Sequence, residues 1–511
     1  MTRCLSWRLL LAVVLVGALG AVVAMVSVTW GAQAEPLDRS AVDRFVAGQM
    51  GKHRIPGVVL AVFENGEVTY TKGYGTAGRG QPMTPDTPMI IGSTTKSFTA
   101  VAILQLVERS LVDLDASVRT YLPWFRVADS VASASVTVRH LLNHTSGLSE
   151  LGYNRVLSPN TTLEQGVRDL RFARLTAPVG TKFQYFNPNY ATLALIIETV
   201  SGQSYGDYVT EHIFAPLGMT HSYVGRDDAP RAGLAQGHSK LFGFPVARNP
   251  IFRAYMVGAN YIVSTAGDLS RLLIAIDNGG LYRGARILSP ASVALMTSPP
   301  VQALNSPYGM GWVVGSHRGE RTGGHGGADE VFTCQAVLFA DQHRGYVVLM
   351  NQQHLLDGAI ASRQLEAGML DLLLARQPDA GGISVRLVGA VILVVFLVAL
   401  ATTFRSLAGL RGWRNQVKTL TAGQIVSRIV PHLLIPALIA FVLYRYLGTL
   451  LLGEPRAWNF RCVGAYFMPD IALLMLLAIV PDLLQGVYMA ATAIVDRIVR
   501  RSVRSWYRKM G

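Results

Sequence analysis

Apolar residues are distributed along this chain in two ways. At both ends they run unbroken; between the ends they recur at the spacings of helices and strands. Leu37, Val42, Phe45, Val46 and Met50 fall on one face of a predicted helix. The runs 57–63 and 68–71 flank Asn65-Gly66, which predicts a hairpin with a type I′ turn. Phe98 to Leu104 is an apolar run that predicts a buried helix ending near Glu108. A helical region with many loops is expected over about 111–250. Strands are expected at 308–312, 335–339 and 346–350, and a last helix at roughly 356–376. This order of helix, strands, helices, strands and helix implies that both ends of the domain meet on one antiparallel sheet. The segment Gln377-Pro-Asp-Ala-Gly-Gly382 breaks the pattern. Beyond it lie three apolar spans, at about 385–404, 425–452 and 465–492, each long enough to cross a bilayer.

The first apolar run, from Leu9 to about Trp30, follows Arg3 and Arg8 and ends at Ala32-Gln33-Ala34. It reads as a secretory signal or, given its length, an uncleaved anchor; either places the central domain outside the cytoplasm. Arg405, Arg411, Arg414 and Lys418 separate the first two spans, and six Lys/Arg between Arg497 and Lys509 come after the third. The positive-inside rule puts both basic segments in the cytoplasm, which requires an odd number of spans starting outside. The expected division is 1–34 signal or anchor, 36–376 central domain, 377–384 linker, 385–492 three transmembrane helices and 493–511 basic cytoplasmic tail. The expected location is the inner membrane, with the central domain extracytoplasmic. In the third span, Asp470 is expected at the outer interface and Asp482 facing the bundle.

The net charge of +14 suggests a nucleic-acid partner only until it is mapped. Residues 381–511 carry +11 and residues 1–34 carry +2, leaving +1 for 35–380. The basicity therefore belongs to the membrane ends, and lipid rather than nucleic acid is the implied partner. Cys4, Cys334 and Cys462 imply no disulfide framework, and Cys334 is expected to be a small core residue.

Chemistry centres on Gly92-Ser93-Thr94-Thr95-Lys96, immediately before the buried helix. Lys96 lies one turn beyond Ser93 and on the same face, where a partly desolvated amine can take the hydroxyl proton. Three further segments bear on this pair. His140-Leu-Leu-Asn-His-Thr-Ser-Gly-Leu148 reads as a capped turn; its two histidines stand at metal-ligand spacing, but no third ligand is suggested. Tyr185 and Asn187 lie in a loop before a helix at 190–200. Gly323-Gly-His-Gly-Gly327 is expected to precede a strand, its glycines marking a close backbone approach.

Taken together, Ser93-Thr94-Thr95-Lys96, His140 to Leu148, Tyr185-Phe186-Asn187, Ser264-Thr-Ala-Gly-Asp268 and His325-Gly326-Gly327 resemble the serine β-lactamase-like superfamily, in its class C β-lactamase, DD-peptidase and esterase branch. The resemblance covers about 36–375. It implies an α+β fold: an antiparallel sheet flanked by helices, with an all-helical lobe and the active site between them, here followed by a three-helix transmembrane region. It also implies an acyl-enzyme on Ser93, with Lys96 as base and Tyr185 passing protons to the leaving group and from water. Asn187 would orient Lys96 and the substrate amide. The oxyanion would lie between the backbone N–H groups of Ser93 and Ala328, with Gly327 allowing the approach. His325 would hydrogen-bond in the site or meet a substrate carboxylate and, titrating near neutrality, would make activity pH-sensitive. No metal or organic cofactor is implied. His-Gly-Gly in place of Lys-Thr-Gly points away from β-lactamase activity and towards peptidase or esterase chemistry.

The layout is also similar to membrane-bound peptidases that remove an N-acyl-D-asparagine cap from nonribosomal peptides. Those tend to carry a serine where this chain has Asn187, and an asparagine near Ala328-Asp329. The expected function is a membrane-anchored extracytoplasmic serine hydrolase acting on an amide or ester, peptidic and open to D-residues. A penicillin- or peptidoglycan-binding sensor and a β-lactamase are the alternatives, and an oligomer is compatible with either.

Overall fold

The structure is a computed structural model and describes residues 37–510 apart from 154, 156, 226–232, 300–307, 380 and 453–467. The leader, Cys4, Cys462 and the loop 453–462 lie outside the described residues.

Seven strands form one sheet in the order β4-β5-β6-β7-β1-β2-β3. They are β1 (Gly57–Glu64), β2 (Glu67–Gly78), β3 (Gln81–Pro82), β4 (Val313–His317), β5 (Glu320–Ala328), β6 (Thr333–Phe339) and β7 (Arg344–Met350). The β1–β2 turn has Asn65 at φ 51° and Gly66 at φ 82°, the left-handed pair that a type I′ turn needs. Val58 pairs antiparallel with Met350, so the first and last strands of the domain are neighbours, as the order of elements predicts.

Alternation along β1 separates two cores. Val58, Leu60 and Val62 pack with α1 (Arg39–His53) and the helix that comes after the sheet. Val59, Ala61 and Phe63 face the larger core, which contains α2 (Thr95–Glu108), α3 (Asn187–Ser201) and α4 (Ala266–Asp277). The helix on the first face is α5 (Arg363–Leu373), preceded by a wider π turn over Asp357–Ser362. The expected antiparallel sheet flanked by helices, with a helical lobe, is the observed fold.

Three local expectations need correction. Residues 308–312 are not a strand: Tyr308 makes only an isolated bridge to Val313, and the chain then turns. Gly311 has φ +62°, and a Cβ there would stand 2.5 Å from the Lys96 carbonyl oxygen, so this turn seats against the start of α2. Gly323 to Gly327 does not precede a strand but lies within β5. Pairing with β6 along the whole run, and with β4 as well at Gly323 and Gly324, overrides the poor strand preference of glycine. The 111–250 region contains short strands at Tyr223–Val224, His238–Leu241 and Phe244–Ala247, the last two forming a hairpin.

Beyond the sheet come α6 (Val385–Gly409), α7 (Ala422–Leu452) and α8 (Pro469–Met510). All three are long and apolar enough to cross a membrane. The basic residues after 493 continue α8 without a break.

Candidate active site

A small sheet delivers Ser93. Met89–Ile90 pairs with Ile262–Ser264, and Ile91 N–H donates to the Ile262 carbonyl at 3.0 Å. Gly92–Thr94 then forms a single 3₁₀ turn that runs straight into α2. Ser264 to Asp268 braces this sheet rather than lining the site. The Thr265 side chain caps α4, and Asp268 accepts from His221 N–H at 2.8 Å and Ser222 Oγ at 2.9 Å.

Ser93 is partly exposed; Lys96 is fully buried beneath it. A hydrogen bond of 3.0 Å links Lys96 Nζ and Ser93 Oγ, and Lys96 donates to the Ala259 carbonyl at 2.8 Å. Burial holds the Lys96 amine well below its ordinary range, only partly opposed by the charge of Glu150. The amine is therefore available as a base. Its Nζ lies 4.8 Å from the centre of the Tyr185 ring and 5.8 Å from that of Tyr190.

The turn at 140–148 holds the tyrosine loop in place. His144, completely buried, accepts at Nδ1 from Phe186 N–H at 3.2 Å, and its carbonyl accepts from Gln184 N–H at 2.8 Å. Tyr185 sits between these two contacts, with its ring 4.4 Å from the imidazole. Because Nδ1 accepts, the neutral ring carries its proton on Nε2. His140 is likewise occupied: its Nδ1 accepts from Thr137 N–H. The pair is thus structural.

Asn187 opens α3 beside Tyr185 but makes no side-chain hydrogen bond among the described residues. The second partner of Lys96 is the Ala259 backbone, which no sequence pattern marks.

On the opposite wall, β5 runs against the turn that carries Ser93. A Cβ on Gly327 would stand 1.9 Å from the Ile91 carbonyl oxygen, and one on Gly92 (φ +57°) would stand 2.3 Å from Ala328 N. The two backbones therefore meet directly, Gly327-Ala328 lying against Ile91-Gly92 beside Ser93. His325 is buried; it donates from Nδ1 to the Gly326 carbonyl at 2.6 Å and accepts at Nε2 from Tyr308 Oη at 2.9 Å. Burial, reinforced by Lys96, lowers its pKa to about 3. The expected near-neutral titration of His325 is thus overturned: the ring is neutral, and both its nitrogens are engaged. Tyr308, missed as a site residue, lies with Ser93, Phe183 and Tyr185 in the wall of a cavity of about 550 Å³. Cys334 is buried under the same wall, its thiol pushed up to about 12 by burial.

His53, His144 and His325 are all buried and held neutral by desolvation, His53 at about 4. Below the ordinary value of 6.5 the unfolded chain takes up protons that the folded chain refuses. Stability should be full above that value and fall as the pH drops through 5 to 4, by on the order of several kcal/mol. Urea midpoints of the full chain in detergent, measured across this range, check this. A flat profile between about pH 7 and 4 would contradict it.

Comparison with known proteins bears on the family. The chain is 28% identical over 315 residues to Protein flp of Staphylococcus aureus (strain MW2), covering 61% of this chain and 62% of that protein. It is 32% identical over 297 residues to Penicillin-binding protein 4 of Amycolatopsis lactamdurans, covering 54% of this chain and 76% of that protein. Among solved structures, the D-amino acid amidase of Ochrobactrum anthropi SV3 aligns with a TM-score of 0.52 and 26% identity, over 61% of this chain and 92% of that one. The profile of the family described as Beta-lactamase spans residues 42–368, from α1 through both walls of the Ser93 cavity to α5. A match over that extent, with the serine and its buried lysine at the junction of sheet and helical lobe, establishes that the chain belongs to the Beta-lactamase family.

Proposed function

We propose that this protein is a membrane-anchored serine hydrolase that cleaves an amide or ester outside the cytoplasm through an acyl-enzyme on Ser93. The observation that carries the reading is the 3.0 Å contact between Ser93 Oγ and a fully buried Lys96 amine. As Oγ attacks the substrate carbonyl, its proton passes to Lys96 Nζ. The negative charge that develops on the carbonyl oxygen is met by the N–H groups of Ser93 and Ala328; a donor of this kind contributes about 3–4 kcal/mol in the transition state. Collapse of the tetrahedral species expels the amine or alcohol, which takes a proton relayed from Lys96 through Tyr185. Water then attacks the acyl group, giving its proton to the same pair, and Ser93 is restored. Asn187, the first residue of α3 and two positions from Tyr185, is left for the substrate amide rather than for Lys96. His325 and Tyr308 form a neutral, internally bonded wall.

The similarity to a D-amino acid amidase supports an amide of a D-residue as substrate, with D-asparagine one case among several. The three membrane-length helices and the basic segments around them support anchoring with the site outside. A second reading is favoured by the 32% identity to Penicillin-binding protein 4: the same acylation followed by slow deacylation would make a penicillin-binding receptor. A stable penicillin adduct without turnover of esters or amides distinguishes it.

Ser93→Ala should abolish labelling by a fluorophosphonate probe while leaving the chain folded. Equal labelling of the variant would overturn the nucleophile assignment.

A further inference from the structure

The cavity that begins at Ser93 does not end at the glycine strand. It continues over Gly326 to the opposite face of the sheet, where Thr333, Gln353, Gly358 and Ser362 form its far wall. Of these, Gln353 belongs to the connector 351–356 between β7 and the π turn, and Gly358 and Ser362 belong to that turn. Thr333 Oγ1 lies within hydrogen-bond distance of the Gln352 carbonyl (2.8 Å) and of Gln353 Oε1 (2.5 Å). The His354 carbonyl accepts from the N–H groups of Asp357 and Gly358, at 2.9 and 3.1 Å. The conformation of this connector therefore sets the shape of the far wall.

The connector is pinned from the membrane side. His354 accepts at Nδ1 from Leu356 N–H, so its neutral ring donates from Nε2, and that donor meets Asp470 Oδ1 at 3.2 Å. Both side chains are only 1% exposed. Asp470 stands in the first turn of α8 and also accepts from Phe242 N–H at 3.2 Å and Ile471 N–H at 2.9 Å. Phe242 is the turn of the 238–247 hairpin, and Gly243 beside it packs against Gly389 on α6, where a Cβ would stand 2.4 Å from Gly243 N. On the same hairpin, Lys240 pairs with Asp357, whose other oxygen accepts from Gln352 at 2.9 Å.

We propose that Asp470 is a positioning residue for the substrate cavity: through His354 it fixes the connector that forms the far wall, so the first turn of the last membrane-length helix tunes which substrates reach Ser93. This rests on the hydrolase reading above. It makes those helices part of the specificity apparatus rather than a tether alone, with carboxylate, imidazole and cavity wall forming one contiguous hydrogen-bonded unit.

The test uses the full chain in detergent micelles and two serine-reactive probes. One is p-nitrophenyl acetate, small enough to need only Ser93 and the oxyanion donors; the other is a long-chain fluorophosphonate that must occupy the cavity. Asp470→Ala should lower the fluorophosphonate labelling rate about tenfold and leave p-nitrophenyl acetate turnover within about twofold. Asp470→Asn, which keeps the acceptor for His354 and Ile471, should recover most of the loss. His354→Ala should match Asp470→Ala, and the double variant should lose no more than either alone. Amide hydrogen exchange should rise in 353–358 in Asp470→Ala. Equal losses on both probes, or unchanged exchange and unchanged labelling, would overturn the proposal. Absence of reaction with either probe in the unmutated chain would defeat the hydrolase reading instead, and the exchange at 353–358 would then decide the role of Asp470 by itself.

Discussion

Lys96→Met should slow acylation of Ser93 by at least about 10³-fold, because the hydroxyl keeps its place but loses the buried amine 3.0 Å from it. The same change should leave the melting temperature within about 5 °C of the unmutated chain. The physical reason is the environment of the amine. It lies completely out of solvent, and burial already drives it towards its uncharged form. A methionine of similar length fills that space without any charge to desolvate. What is lost is the contact with the Ala259 carbonyl, which costs about 1–3 kcal/mol and offsets the gain. A merely structural lysine would give the opposite outcome, a large fall in stability with activity falling in proportion. Stopped-flow acylation and differential scanning fluorimetry on the same preparation separate the two.

The second large effect is expected at Gly327. Its substitution by alanine adds one methyl group, but that carbon would sit 1.9 Å from the Ile91 carbonyl oxygen and 2.9 Å from both Ser93 N and Thr94 N. All three are backbone atoms, so no side chain can rotate out of the way. β5 must move off the Ser93 turn, and the proposed oxyanion donors, Ser93 N–H and Ala328 N–H, should separate with it. Acylation should fall about 100-fold, and unfolding stability by about 1–3 kcal/mol, the usual cost of overpacking a filled interior. Gly326→Ala serves as the control one residue away. Its added carbon would meet only the Cys334 carbonyl oxygen, at 3.8 Å, an ordinary contact. Equal behaviour of the two variants would show that the approach of β5 to Ser93 does not set the oxyanion geometry.

These expectations mark the boundary of what the amino-acid order makes readable. Local signals translated directly into structure: Asn65-Gly66 became a type I′ turn, the apolar stripe from Val42 to Val46 became the buried face of α1, and the Ser93–Lys96 spacing became a hydrogen bond. These contacts depend on residues a few positions apart, where helical and strand periods fix direction. The glycine run of β5 was harder to read, because glycine disfavours strands and only its pairing with β6, and with β4 at Gly323 and Gly324, imposes one.

Longer-range partners were not readable at all. The Ala259 carbonyl reaches Lys96 from 163 residues away, and a backbone oxygen carries no residue signature. His325 looked like a titrating group because a free imidazole is one; only its burial with Tyr308 and Lys96 shows that it stays neutral. Asp470 reads as an interfacial carboxylate, but no local signal marks its partner His354, 116 residues earlier and just after β7. In each case the deciding quantity is desolvation, which depends on the whole fold.

The central claim is that Ser93 forms a covalent acyl intermediate with the help of a neutral Lys96. Intact-mass analysis of the full chain quenched during reaction with a penicillin or an activated ester tests it most directly, with fragmentation then locating the added mass. The account predicts a single adduct on the peptide containing Ser93, formed faster as the pH rises through the lowered range of Lys96, and absent in Ser93→Ala. An adduct on another residue, or turnover undiminished in Ser93→Ala, would contradict it.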